Sequence, residues 1–231
     1  MRVANAKVRG AVRRRAENSA AGGAGRSSSM IPWDERYSAE RYYYGTEPNE
    51  FLQERFSAIP QDGEVLCLGE GEGRNAVFLA VQGYRVVALD QSAVGLEKAQ
   101  RLAAAKGAAI ETVAADLDGY FIDPGRWAGI VSIWCHLPRP LCAAVCRQAA
   151  AGLKPGGVFL LESYTPAQIA YGTGGPKSAE LLPSLAELRQ DLEGLDFLHA
   201  IERERIVKEG DAHTGLSAVV QIIARRRGGK R

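Results

Sequence analysis

Three alternating glycines and two strand-ending acids are the residues whose types and spacing carry most chemistry. Gly69, Gly71 and Gly73 follow directly on the apolar run Val65-Leu66-Cys67-Leu68, with Glu70 and Glu72 between them. A buried strand that passes through G-x-G-x-G into a helix lets the main chain approach a ligand closely and aims helix N–H groups at an anion. Asp90 closes the next apolar run, Val86-Val87-Ala88-Leu89, where a carboxylate can accept hydrogen bonds from both hydroxyls of a ribose. Asp116 ends a third run, within reach of an adenine amino group. Each has a structural alternative, a tight turn for the glycines and a helix cap for the acids, although Ser92 is the more obvious cap. Their joint placement at strand carboxyl ends favours a ligand, because ligands of such sheets lie across that edge. The chain has no G-x-x-x-x-G-K-[ST], which disfavours a kinase or ATPase, and Arg74 stands where a dinucleotide fold would want a third glycine. An adenosine with a short anionic arm fits better than a pyrophosphate, and a nicotinamide-dependent oxidoreductase is the rival reading.

A second group follows the fourth apolar run at Trp134-Cys135-His136. His136 is the general-base candidate; its alternative is a histidine hydrogen-bonded at a strand end. His199 and His213 fall in a terminal hairpin and read as structural or exposed. Trp33, Tyr37, Tyr42, Tyr43 and Tyr44 before the sheet, with Tyr164 and Tyr171 after the fifth strand, could form a lid or pack as apolar bulk. Trp33, Tyr44, Tyr164 and Tyr171 are the substrate-contact candidates, and Gly172-Thr173-Gly174-Gly175-Pro176 reads as a mobile substrate loop. Cys142 and Cys146, four apart with Cys135 nearby, admit a soft-metalloid site. The better reading is a buried stripe with Ala149 and Leu153, and no metal site is expected.

These residues need a parallel sheet to assemble them. From Val65 the chain alternates β-type runs with helical stretches: Val65–Leu68, 75–82, Arg85–Leu89, 93–106, 110–114, 129–134, 140–152 and 157–162. That alternation predicts a doubly wound α/β sheet. Glu50–Ile59 reads as a lead-in helix, 184–192 as a further helix, and 197–208 with 216–224 as an antiparallel hairpin around the polar loop 209–215. The 231 residues, 46% apolar and 24% charged, suit one domain over residues 30–224. No apolar stretch approaches the ~18–20 residues of a membrane span, so no membrane partner is expected.

Residues 1–29 hold seven Arg or Lys against the single acid Glu17, while the whole chain carries +2, so the remainder carries −4. That arm reads as a disordered basic binding segment, a transit-like peptide or sequence upstream of a start at Met30. Residues 225–231 read as a solvated basic tail. The acidic balance of the domain argues for a small-molecule substrate and against nucleic acid. Four cysteines without metal or redox spacing point to a reducing, cytoplasmic setting. Monomer and homodimer both remain open.

Leu68-Gly69-Glu70-Gly71-Glu72-Gly73, Asp90, Ala115-Asp116-Leu117 and Leu153-Lys154-Pro155-Gly156-Gly157 together resemble the class I S-adenosylmethionine-dependent methyltransferases over residues 33–224. Trp33-Asp34-Glu35-Arg36-Tyr37 and Tyr44-Gly45-Thr46-Glu47-Pro48-Asn49 look most like the small bacterial tellurite-resistance and thiopurine branch. The resemblance implies a Rossmann-like seven-stranded sheet, mostly parallel with a C-terminal antiparallel hairpin, and S-adenosyl-L-methionine as cofactor. It places Gly69, Gly71 and Gly73 at the methionine end, Asp90 and Gln91 at the ribose, Asp116 and Leu117 at the adenine, and Trp134 beside the cofactor. Many relatives carry Asp where Glu70 stands. The implied activity is methyl transfer to a small nucleophile, with a thiol, selenium or tellurium acceptor favoured and an N- or O-acceptor as the alternative. A non-catalytic adenosyl-ligand sensor is the reading from outside enzymology.

Overall fold

Strands β1 (Glu64–Leu68), β2 (Arg85–Asp90), β3 (Glu111–Ala114), β4 (Trp127–Ile133) and β5 (Leu153–Tyr164) lie parallel, and β7 (His213–Arg226) runs antiparallel between β5 and β6 (Leu195–Glu209). The order across the seven-stranded sheet is β3-β2-β1-β4-β5-β7-β6. The computed structural model describes residues 33–210 and 213–228. The expected basic arm lies outside the described residues, as does the end of the expected tail.

Central strands β1 and β4 are buried on both faces, which is why they read as unbroken apolar runs. Helices cover both faces: α1 (Trp33–Tyr37), α2 (Glu50–Arg55), α3 (Arg74–Val81), α4 (Ala93–Ala105), α5 (Arg139–Gly152) and α6 (Leu185–Asp191). One core layer centres on Trp127, Ile130 and Phe159; Cys142, Cys146 and Ala149 of α5 belong to it, as their spacing predicts, together with Leu153 at the start of β5. The other centres on Leu79, Cys67 and Leu160. Among the described residues no helix is long and apolar enough to cross a membrane.

Several boundaries differ from the sequence reading. The turn expected at Pro155-Gly156-Gly157 is absorbed into β5, which starts at Leu153 paired with Trp127 and shifts register there. The lead-in helix ends at Arg55 and tightens into a 3₁₀ turn over Phe56–Ala58. Both hairpin strands run longer than expected. Glu209 and His213 pair at the tip, and β7 continues through Arg225 and Arg226, whose guanidinium bonds the carbonyls of Ala151 and Leu153.

Candidate active site

The glycine turn is built by backbone geometry that L side chains rarely adopt. Gly69, Gly71 and Gly73 have φ of 61°, 58° and 91°. A Cβ on Gly69 would fall 2.7 Å from Cys135 Sγ, and one on Gly71 would fall 2.6 Å from the Tyr37 hydroxyl oxygen. Gly73 is the N-cap of α3 and has no side chain to cap it. Glu70 does so instead: its Oε1 accepts from Asn75 N–H (2.9 Å) and Ala76 N–H (2.8 Å). This corrects the expectation of a helix terminus open to a ligand anion, since an internal carboxylate already holds two of its N–H groups.

Asp90 sits at the end of β2, 7% exposed. Its Oδ2 accepts from Gly71 N–H (2.8 Å) and its Oδ1 from Ser92 N–H (2.8 Å), while burial pushes its pKa up. Each oxygen retains acceptor capacity for a hydroxyl. Ser92 caps α4 through Gly95 N–H, as the sequence suggests. Gln91 is exposed beside Asp90. Asp116 stands two residues beyond β3, exposed, with its Oδ1 turned back to Asp118 N–H (3.0 Å). Leu117 is directed into the core.

The segment from Trp33 to Asn49 is strapped over this turn. Tyr37 fills a notch between Gly71 and Gly95, and Trp33 stacks on it. Lys98 of α4, 2% exposed, pairs with the buried Glu72 and donates to the carbonyls of Tyr37, Ala39 (2.8 Å) and Arg41 (2.7 Å). Glu72 Oε2 accepts from Tyr43 N–H at 2.7 Å.

On the other side of the edge stands Trp134, which alone among the described non-glycine residues has a positive φ, 54°. Its indole stacks on Tyr164 (centroids 4.4 Å) and donates through Nε1 to Glu209 (2.6 Å). His136 stacks on Tyr164 at 5.6 Å, with its Nδ1 3.4 Å from Ser163 Oγ. His213 packs against Trp134, Tyr164 and Tyr44. Of the two readings the sequence left for His213, structural or exposed, the exposed one does not hold: the ring is buried within the aromatic cluster. Burial holds the pKa of His136 down at about 3 and that of His213 at about 4, so both are neutral near pH 7. Glu209 also takes the guanidinium of Arg74, Asn49 Nδ2 (2.7 Å) and Arg205 (3.3 Å); Glu162 takes Asn49, Arg205 and Gln221.

Residues 65–157 match a family model described as a methyltransferase domain. Over those residues the chain is similar to methyltransferase domains. A stretch of 112 residues is 31% identical to a tRNA 5-carboxymethoxyuridine methyltransferase of Escherichia coli (strain K12), covering 46% of this chain and 41% of that protein. The matched stretch therefore spans under half of the curated relative. Among solved structures, one titled for conversion of a disulfide bond into a thioacetal group during echinomycin biosynthesis shares the fold at TM-score 0.63 and 21% identity, covering 86% of this chain and 92% of that one. TehB from Haemophilus influenzae aligns at TM-score 0.63 and 18% identity, over 84% of this chain and 66% of its own. S-adenosylmethionine is the cofactor that this likeness implies. The residues present suit it: beside the glycine turn stands a buried carboxylate, Asp90, with spare acceptor capacity in each oxygen.

Around the methyltransferase turn the structure gathers Gly69, Gly71, Gly73, Asp90 and Trp134, with Tyr44, Tyr164 and His136 beside Trp134. Trp33 reaches the group through Tyr37 and through Arg36, which lies over its ring and donates to the Tyr44 hydroxyl, and Tyr171 is elsewhere, its hydroxyl bonded to Glu204 of β6. Sequence reasoning missed Glu72, Lys98, Glu209 and His213. Glu72 carried a signal as an acid inside the glycine turn; Glu209 and His213, in a polar hairpin tip, carried none. The expected substrate loop approaches through Gly175, where a Cβ would meet the ring of Tyr164. Burial pushes the Cys135 thiol up to about 12, so it is not a thiolate near pH 7. Among the described residues no group of three His, Cys, Asp or Glu is placed to hold a metal ion.

Proposed function

We propose that the protein transfers the methyl group of S-adenosylmethionine to a small-molecule nucleophile, with a sulfur, selenium or tellurium acceptor favoured. One observation carries the reading: the glycine turn and Asp90 lie at the same strand edge as Trp134 and Tyr164, and the buried cations there, Arg74, Arg205 and Lys98, are each bound by Glu209, Glu162 or Glu72. An aromatic site with its cations already paired suits a soft acceptor better than a phosphate-rich one. The thioacetal chemistry named for the first structural relative is sulfur chemistry, which supports the same choice.

The cofactor, when bound, supplies an electrophilic methyl group on a positively charged sulfur. The chain's work is alignment and water exclusion. In this reading Gly69, Gly71 and Gly73 border the methionine end, Asp90 and Gln91 hold the ribose, and Asp116 and Leu117 border the adenine. Trp134, Tyr44 and Tyr164 shape the acceptor side, and His136 is the proton acceptor proposed from sequence. The relation to a tRNA methyltransferase favours a nucleic-acid acceptor as the second reading, but that match covers only part of either protein.

Calorimetry with S-adenosylhomocysteine, S-adenosylmethionine and NADH tests the cofactor assignment. Binding of the two adenosyl-sulfur ligands is expected, weakened in Asp90→Ala by about 1.5–3 kcal/mol, the range for a hydrogen bond to a charged group. Binding of NADH alone would overturn the reading. A labelled-methyl screen over thiols, selenols, amines, hydroxyls and tRNA then separates the acceptors, and turnover on tRNA alone would replace the small-molecule reading with the second.

A further inference from the structure

Strand β6 is the last strand on its side of the sheet, and among the described residues no strand pairs with its outer side. The direction of its backbone groups follows from its neighbour. Ala218 of β7 gives its N–H to Gln168 Oε1 (2.8 Å) and takes the N–H of Thr165 on its carbonyl (3.0 Å), and the Leu216 carbonyl accepts from Thr173 Oγ1 (2.6 Å). Both residues therefore turn their backbone groups away from β6. Opposed residues of an antiparallel ladder turn toward or away from each other together, so their partners, Glu204 and Ile206, turn away from β7. By alternation Glu202, Glu204, Ile206 and Lys208 all present N–H and C=O to the outer side, where an adjoining strand can pair with them. The Ile206 carbonyl accepts from Arg205 Nη1 at 3.2 Å and keeps its second lone pair.

The side chains of these four residues are exposed, and Ile206, at 72%, is the most exposed large apolar side chain among the described residues. Glu204 accepts from the Tyr171 hydroxyl and Glu202 from Leu185 N–H (2.6 Å), each through one carboxylate oxygen. Two copies of an edge strand are set antiparallel by a two-fold axis normal to the sheet, which keeps every side chain on its own face. Each position of that axis along β6 fixes one register. An axis at Glu202, Arg203 or Glu204 sets glutamate against glutamate, and one at Arg205 sets that residue against itself. With the axis at Ile206, Ile206 meets Ile206, Glu204 meets Lys208 twice, Arg205 meets Val207 and Arg203 meets Glu209, so no like charges are opposed.

We propose that a second copy of this chain docks on β6 in that register, joining two seven-stranded sheets across the two-fold axis. Opposite charges that face each other directly stabilise an antiparallel pair and like charges destabilise it, so the two Glu204–Lys208 pairs select the register. Ile206 supplies the apolar contact at its centre. The alternation Glu202-Arg203-Glu204-Arg205 blocks the neighbouring registers and leaves this one open. An interface limited to residues 203–209 of each copy is small, so the association is reversible and depends on concentration.

Sedimentation velocity of the full chain from about 5 to about 200 µM tests the proposal, and the sedimentation coefficient is expected to rise toward that of a dimer. Lys208→Glu and Glu204→Lys should each weaken association by about tenfold or more, because either change opposes like charges at two places. Mixing the two variants, or combining both changes in one chain, should restore it to within about threefold of wild type. A second measurement needs no variant. In the wild type the N–H groups of Glu204, Ile206 and Lys208 should exchange more slowly at the high concentration than at the low one, while those of Arg203 and Arg205, turned toward β7, do not change. A monomer at every concentration, undiminished association in the folded single variants, no recovery in the mixed or combined ones, or unchanged exchange at Ile206 would each overturn the inference.

Discussion

Glu70 caps α3 from inside the glycine turn, where Gly73 has no side chain to offer, and it does so from a half-buried position whose desolvation raises its pKa to about 7. The N–H groups of Asn75 and Ala76 pull that value down but do not offset the desolvation. A carboxyl whose folded pKa lies above its ordinary 4.5 contributes stability that is fully present below about pH 4.5 and is lost as pH rises through about 7. His136 and His213 act in the opposite sense, with stability present above pH 6.5 and lost as pH falls toward about 3 and about 4. Glu70→Gln retains an acceptor oxygen for the helix terminus and removes the ionisation. Urea midpoints measured from pH 4.5 to 8 should therefore lose less stability with rising pH in Glu70→Gln than in the wild type. Parallel curves for the two proteins would show that Glu70 does not titrate in this window.

At the scale of elements, the strap from Trp33 to Asn49 depends on one lysine. Lys98 looks like a solvated position in a helix of mixed composition, yet it is buried beneath the strap, paired with Glu72 and bonded to three of the strap's carbonyls. Removing one partner of a buried pair leaves the other charge uncompensated, so Lys98→Met should cost about 3–5 kcal/mol, and adding Glu72→Gln should recover part of that loss. Chymotrypsin should then cut near Tyr42–Tyr44 faster in Lys98→Met; a cleavage rate equal to wild type would mean the strap is held by other contacts. This is also where sequence reading ran out. The central strands were legible because burial on both faces writes them as apolar runs, and the turn acids because strand ends are marked by the same pattern. β6 was legible as 197–208 in spite of the charged run Glu202-Arg203-Glu204-Arg205 on this edge strand, and only the residues at its two ends were missed. The short α1 and the Lys98–Glu72 pair have no periodic signature, since what buries them is the fold around them.

Across the whole molecule, the methyltransferase match ends at residue 157, and both elements that roof the site lie outside it. The strap comes from before β1. The hairpin comes from after β5, and because Tyr164 at the end of β5 pairs with Val219, residues 213–218 project past β5 toward the ligand edge. There the tip meets the strap: Gly210 has φ 60°, and a Cβ on it would collide with the backbone of Tyr43 and Tyr44. Glu209 joins the two through Asn49, reaches the glycine-turn helix through Arg74 and holds Trp134 in its left-handed backbone. A cofactor half inside the family match is thus covered by elements from outside it that are bound at one carboxylate, which predicts that they loosen together. In Glu209→Ala, amide hydrogen exchange should quicken in residues 43–49 and in 206–210 with 213–218 to a similar extent, while β2 and α4 keep their protection. Trp134, released from its carboxylate, should shift its emission to longer wavelength as water reaches the indole. Faster exchange in the hairpin alone, with the strap unchanged, would mean that Glu209 anchors its own strand and that the two roofing elements move independently.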